Sequence, residues 1–126
     1  MANFVNFVNL TPHPIVVRLH DGDVTFPPSG KVARVDEMPT TVVGEMGGVK
    51  ILSRTVFTAV INLPEPVEGT AFIVSGLVAG AVSRADVFCP ATGPKDGAIR
   101  NDKGHIIAVV ALKATTNGHD DGVVIC

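Results

Sequence analysis

Gly69-Thr70-Ala71-Phe72-Ile73-Val74-Ser75-Gly76-Leu77-Val78-Ala79-Gly80-Ala81-Val82-Ser83 carries the change of hydrophobic period that decides the fold. Thr70 to Val74 is a short apolar run after a glycine and reads as a buried strand. Ser75 offers an oxygen to the unpaired first N–H groups of a helix, so it caps a helix expected over about 75–84. Leu77, Val78, Ala79, Ala81 and Val82 lie all round that helix and leave no polar face, the pattern of a helix buried on every side. One sheet face covers only part of the circumference. The remaining cover is expected from a second copy of the chain, with loops as the alternative. Gly76 and Gly80, one turn apart, let another backbone approach closely, although this spacing also arises by chance in a Gly-rich chain.

Upstream, Ile15 to Leu19 and Val24 to Phe26 flank His20-Asp21-Gly22-Asp23, and an Asp-Gly step between apolar runs marks a hairpin. Pro27-Pro28-Ser29-Gly30 removes ladder donors and turns the chain. Lys31 to Val35 is the next strand. A second hairpin runs from Thr41 to Met46, turns at Gly47-Gly48 and returns over Val49 to Arg54. Thr55 to Ile61 is β-branched and reads as a further strand, ended by Leu63-Pro64-Glu65-Pro66. Downstream, Cys89-Pro90-Ala91-Thr92-Gly93-Pro94 is a loop. Ala98 to Arg100, the turn Asn101-Asp102-Lys103-Gly104 and a strand from His105 to Leu112 make a third hairpin. From Lys113 the chain is polar and Gly-bearing, a flexible tail with an apolar end at Val123-Val124-Ile125. The expected class is α+β, mostly antiparallel β hairpins with one short apolar helix, in one domain over 1–112 and a tail over 113–126.

The 126 residues are 46% hydrophobic and only 17% charged, with net charge -2 and no basic block. Binding to duplex nucleic acid is disfavoured, because phosphate neutralisation dominates that affinity. There is no Trp or Tyr, so stacking on a base falls to six Phe or to an Arg plane. Two cysteines, Cys89 and Cys126, make no disulfide framework, and a reducing interior is expected. The start, Met1-Ala2-Asn3-Phe4-Val5-Asn6, has no positive segment or long apolar core of the secretory kind, and Ala71 to Val82 is too short to span a bilayer. The expected location is cytoplasmic, in the host cell if the gene is a phage's, with no membrane partner.

No cofactor or metal is expected. His13, His20, His105 and His119 lie far apart, without His-x-x-x-His or Cys-x-x-Cys spacing. Ser75-Gly76 at a strand-to-helix turn lacks the Gly-x-Ser-x-Gly pattern of a nucleophile elbow and is better read as a cap, although a helix start also suits an anion. Asn9-Leu10-Thr11-Pro12-His13-Pro14 is more informative. Two prolines hold the residues before them extended and give His13 a fixed direction, which lowers the ordering cost of a ligand. The alternative is that Pro12 and Pro14 end the first strand, with His13 bonded to a carbonyl. Arg100, Asn101 and Asp102 combine a guanidinium for phosphate with an amide and a carboxylate for base edges or ribose; Asn-Asp-Lys-Gly is equally turn chemistry. Arg34 and Arg54, on adjoining strands, are further phosphate partners or simply solvated.

Val8 to Pro14, Pro28 to Val35, Leu63 to Pro66, Gly69 to Ser75, Thr92-Gly93-Pro94 and Arg100 to Gly104 together resemble a family of small proteins met in bacteriophages, prophages and bacterial genomes. The resemblance covers roughly residues 5 to 112, and its distinctive part is Asn9-Leu10-Thr11-Pro12-His13. The chain departs from it after Lys113, and Asn101 stands where an acidic stretch often begins directly after Arg. The resemblance implies a phage-like setting and no particular reaction. A chain without a nucleophile motif, metal motif or paired carboxylates suits binding without turnover. The leading expectation is a homo-oligomeric, non-enzymatic phage or prophage binding protein, an anti-defence sponge sequestering a small cyclic-nucleotide or ADP-ribose-type signal in a pocket at a subunit interface. Its ligand-binding residues would be His13, Arg34, Ser75, Arg100, Asn101 and Asp102. The rivals are a virion or accessory interaction protein, and a small nucleotide or ester hydrolase with His13 as general base.

Overall fold

Alternation of apolar side chains along a buried strand places successive residues on opposite faces of its sheet, and the 69–83 stretch uses both faces. The computed structural model describes residues 4–116. In chain order the strands are β1 (Asn6–Asn9), β2 (Ile15–Leu19), β3 (Gly22–Phe26), β4 (Arg34–Glu37), β5 (Val42–Met46) and β6 (Val49–Leu52). They continue with β7 (Phe57–Ile61), β8 (Thr70–Ile73), the helical turn α1 (Gly76–Ala79), β9 (Val87–Pro90), β10 (Ile99–Arg100), β11 (Ile106–Ala108) and β12 (Leu112–Ala114). The architecture is mostly β, with one short helix and several small antiparallel hairpin sheets.

The centre is a four-stranded sheet of order β1-β8-β9-β12. All four residues of β8 are buried. Both of its neighbours run parallel to it, while β12 pairs antiparallel with β9. A parallel pair needs a crossover, so its strands are distant in sequence and covered on both faces, which is why β8 reads as a continuous apolar run. Phe72 and Val74 point to one face, into a cluster with Leu10, Ala33, Val78 and Val87. Ile73 points to the other, against Ile15, Val17 and Val109. The β2–β3 hairpin covers that second face, tied on by Arg18 N–H to the Val109 carbonyl at 2.7 Å and Val109 N–H to the Val16 carbonyl at 2.9 Å.

The first two hairpins form where their turn residues place them. Leu19 pairs with Gly22 across His20-Asp21, and Met46 pairs with Val49 across Gly47-Gly48. Gly47 and Gly48 have φ of 56° and 83°, the double left-handed geometry of a type I′ turn that matches strand twist. The third hairpin is short: β10 has two residues and β11 three, with a register shift between them. The strand expected over 105–112 divides, because Val109 bridges to Val17 and the chain bends before β12 rejoins the central sheet. The expected domain limit at 112 therefore falls inside a strand. Val123-Val124-Ile125 lies outside the described residues.

The helix expected over 75–84 is one turn, Gly76–Ala79. Ser75 caps it as expected, its Oγ accepting from Val78 N–H at 3.4 Å. Ala79 and Gly80 make i→i−4 bonds, but Ala81 and Val82 bond to Val78 and Ala79, three residues back, and the ladder stops. Two glycines and two valines in seven residues are poor helix formers, and nucleation is costly, so the turn is not extended. Only Val78 of this turn is buried, and Leu77 is 57% exposed. The apolar cylinder that needed a second copy to cover it is not formed.

Candidate functional site

Asn9 ends β1 with its side chain 2% exposed, and a buried amide must find partners for two donors and its acceptor. Its Nδ2 donates to the carbonyls of His13 and Phe26, both at 2.8 Å. Its Oδ1 accepts from the Thr11 N–H at 2.9 Å and faces the Thr11 hydroxyl at 2.7 Å. That hydroxyl also lies 3.0 Å from the His13 carbonyl. Asn9 and Thr11 thus wind residues 9–13 into a closed loop anchored on β3, and Pro12 and Pro14 stiffen its rim.

The loop presents His13 to solvent beside a cleft of about 470 Å³. Ile15 and Val16 of β2 form one part of the wall and Ile106 to Val109 another, with Ser75, Gly76 and Thr92 at its margins. The lining contains no Asp, Glu, Lys, Arg or Cys side chain. Its polar side chains are those of Thr11, His13, Ser75 and Thr92. The His13 imidazole makes no hydrogen bond among the described residues; it is the His13 carbonyl that is held. The Ser75 oxygen serves its own helical turn, and a single turn sums too few peptide dipoles to favour an anion strongly.

His13 and Ser75 are the expected residues that the fold brings to one cleft. Arg34, Arg100, Asn101 and Asp102 do not line it. Asn101 is spent on its turn: its Oδ1 accepts from the N–H groups of Lys103 at 2.9 Å and His105 at 3.0 Å. Arg100 Nη1 donates to the Gly104 carbonyl at 2.7 Å, closing the same turn. Asp102 is exposed there. Arg34 begins β4, opposite Ile61, and Arg54 follows the end of β6, so the two are not strand neighbours. Five of the six phenylalanines are also engaged, and Phe57 is exposed on β7. Phe4 meets Phe88 at 5.7 Å and Phe7 meets Phe26 at 5.1 Å between ring centroids, Phe72 is in the core, and none lines the cleft.

Two charged nodes have no warning in the sequence pattern. Arg84 forms a two-bond pair with Asp86, at 3.0 and 2.7 Å, donates to the Pro64 carbonyl and stands 6.0 Å from the Phe72 centroid. The hydrogen bonds to Asp86 hold its guanidinium proton still more firmly than usual, burial opposing. Asp96 accepts from Lys113 Nζ at 2.6 Å and from the Gly93 N–H at 2.7 Å, and these bonds hold its carboxyl below the usual carboxylate range. Burial pushes the Cys89 thiol up. Both nodes join sequence-distant segments through side chains at fold-determined positions, which periodicity does not report. Asn9 was visible as the residue before Leu-Thr-Pro, a place suited to an Asx-turn.

No three His, Cys, Asp or Glu side chains gather to hold a metal among the described residues, and no helix there is long and apolar enough to cross a membrane. No protein-family model matches the chain, and no curated protein or solved structure matches it either.

Proposed function

We propose that the chain is a non-enzymatic binding protein whose His13–Ser75 cleft sequesters a small nucleotide-like molecule, of the cyclic-nucleotide or ADP-ribose type, in a phage-related setting. The observation that carries this reading is the cleft itself: about 470 Å³, inside the range of small-molecule sites, with an aliphatic wall and a few polar groups at its rim. A base or ribose ring lies on Ile15, Val16 and Ile107. His13 and Thr92 supply the hydrogen bonds that orient it. Since no cation lines the wall, phosphate lies at the mouth, in solvent.

Native mass spectrometry against a panel of nucleosides, cyclic nucleotides and ADP-ribose derivatives tests this. The expected result is one retained ligand per cleft, recovered unchanged after denaturation, with binding weakened at least tenfold by His13→Ala and Ile107→Asp. Retention of no compound from the panel overturns it. A second reading, a virion or accessory interaction protein, is favoured by the exposed apolar β5–β6 hairpin; stoichiometric presence in purified virions would support it over a soluble sponge.

A further inference from the structure

β2 leaves one of its edges partly open. The Val16 carbonyl accepts from the Val109 N–H at 2.9 Å and the Arg18 N–H donates to the Val109 carbonyl at 2.7 Å, so residues 16 and 18 turn their backbone groups away from β3. The N–H and C=O of one extended residue leave a strand on the same side, and neighbours alternate. The Val16 N–H therefore points away from β3 and the Ile15 N–H toward it. In a trans peptide the carbonyl opposes the N–H, which sends the Pro14 carbonyl to the same edge as the Val16 N–H. Both Pro14 and Val16 line the cleft.

A parallel ladder carried one step beyond Val17 and Val109 would bond these two groups to Ile107. That step is not made: the ladder is a single bridge, and neither group has a hydrogen-bond partner among the described residues. The pairing on the other side of β11 gives the reason. Ile106 lies opposite Arg100 and Ala108 opposite Ile99, which leaves Ile107 as the extra residue of a bulge, and a bulge bends its strand out of regular register. The cleft therefore offers an acceptor and a donor, two residues apart on one strand edge, beside its aliphatic wall.

We infer that this edge reads an adenine base, whose exocyclic amino group donates to the Pro14 carbonyl while the ring nitrogen beside it accepts from the Val16 N–H. The inference rests on the nucleotide reading above and names its base. An added peptide strand is the other ligand for an open edge, but it gains only two bonds here. Pro14 has no N–H, and the Val16 carbonyl and Arg18 N–H are already taken by Val109. A flat ring uses both open groups and lays its face on aliphatic side chains. The Watson–Crick edge of adenine has a donor, an acceptor and then a C–H, which falls where the edge closes on the buried Val17 and Val109. Cytosine offers the same pair but strands a carbonyl at that closed end. Guanine and uracil carry their donor in the ring, so pairing sets their third polar group against the Pro14 ring, which stands in place of an N–H.

Equilibrium dialysis of the full chain against adenosine, guanosine, cytidine and uridine tests the choice of base, with adenosine expected to bind at least tenfold more tightly than the other three. Adenosine analogues test the two contacts. 1-Deazaadenosine, which lacks the ring acceptor, and 6-dimethylaminopurine riboside, which lacks the donor, are each expected to bind at least tenfold more weakly than adenosine, and 7-deazaadenosine within about twofold of it. Val16→Pro removes the N–H at a position where it makes no ladder bond. It is expected to weaken adenosine at least tenfold without weakening 1-deazaadenosine further by its missing acceptor, and the analogues decide alone if this variant does not fold. Equal binding of the four nucleosides, either contact analogue bound as tightly as adenosine, or retention of another member of the nucleotide panel while adenosine does not bind overturns this inference and leaves the nucleotide reading standing. Retention of no nucleoside and no nucleotide overturns both.

Discussion

Replacing Asn9 tests whether one buried amide holds the cleft rim. Asn9→Ala deletes two donors and an acceptor at a site 2% exposed. The His13 carbonyl keeps the Thr11 hydroxyl at 3.0 Å, but the Thr11 N–H loses its partner and the Phe26 carbonyl is left with only its ladder neighbour Ile15. A stranded buried group costs about 1–3 kcal/mol, and Phe26 is only half-buried, so the expected loss is about 3 kcal/mol. For a domain of this size that lowers the melting temperature by about 12 °C. Asn9→Asp sharpens the test. Its carboxylate keeps the acceptor but aims negative charge at two carbonyls in a buried site, so its folded-state pKa is raised above the unfolded value. An acid with a raised folded-state pKa carries no penalty below the unfolded pKa and the full penalty above the folded one. The Asn9→Asp deficit is therefore expected to be largest at pH 7 and to shrink as the pH falls toward 4. Urea unfolding followed by circular dichroism at both pH values measures it, with wild type at each pH as reference. A cost below about 1 kcal/mol for Asn9→Ala, or an Asn9→Asp deficit that grows on acidification, refutes the reasoning.

Val78→Ala, in the core cluster, is expected to cost roughly 2 kcal/mol by urea unfolding, while Leu77→Ala, on the exposed side of the same turn, changes stability by less than about 0.5 kcal/mol. Equal costs would restore the helix buried on every side. Asp96 is held below its ordinary value by Lys113 and the Gly93 N–H, so its contribution is complete above the unfolded carboxylate pKa and is lost as the pH falls through the lower folded one. Wild type should therefore lose more stability than Asp96→Asn on acidification below about pH 4, read as melting temperature against pH. Cys89 is buried, and in a Cys126→Ser background it should react with a disulfide reagent at least 100-fold more slowly in the folded protein than in 6 M guanidinium.

Local chemistry made much of the β content legible. Gly22, just past the His20-Asp21 loop, and Gly47-Gly48 set the first two hairpins, because turn geometry depends on a few adjacent dihedrals; Ser75 capped its helix for the same reason, and Asn101 turned its chain. The run 70–74 announced a strand covered on both faces by having no polar alternation. Where α1 stops was harder, because helix extension balances weak propensities against packing, and Val78 alone found a place in the core. What lay beyond the sequence was every relation between distant segments. That β8 is flanked by parallel β1 and β9, that Arg84 holds Pro64 and Asp86, and that His13 meets Ser75 across a wall from β2 and β11 all follow from how two apolar faces of one strand are covered. Those contacts join residues too far apart for any periodicity to record, and only the closing of the chain around β8 selects them.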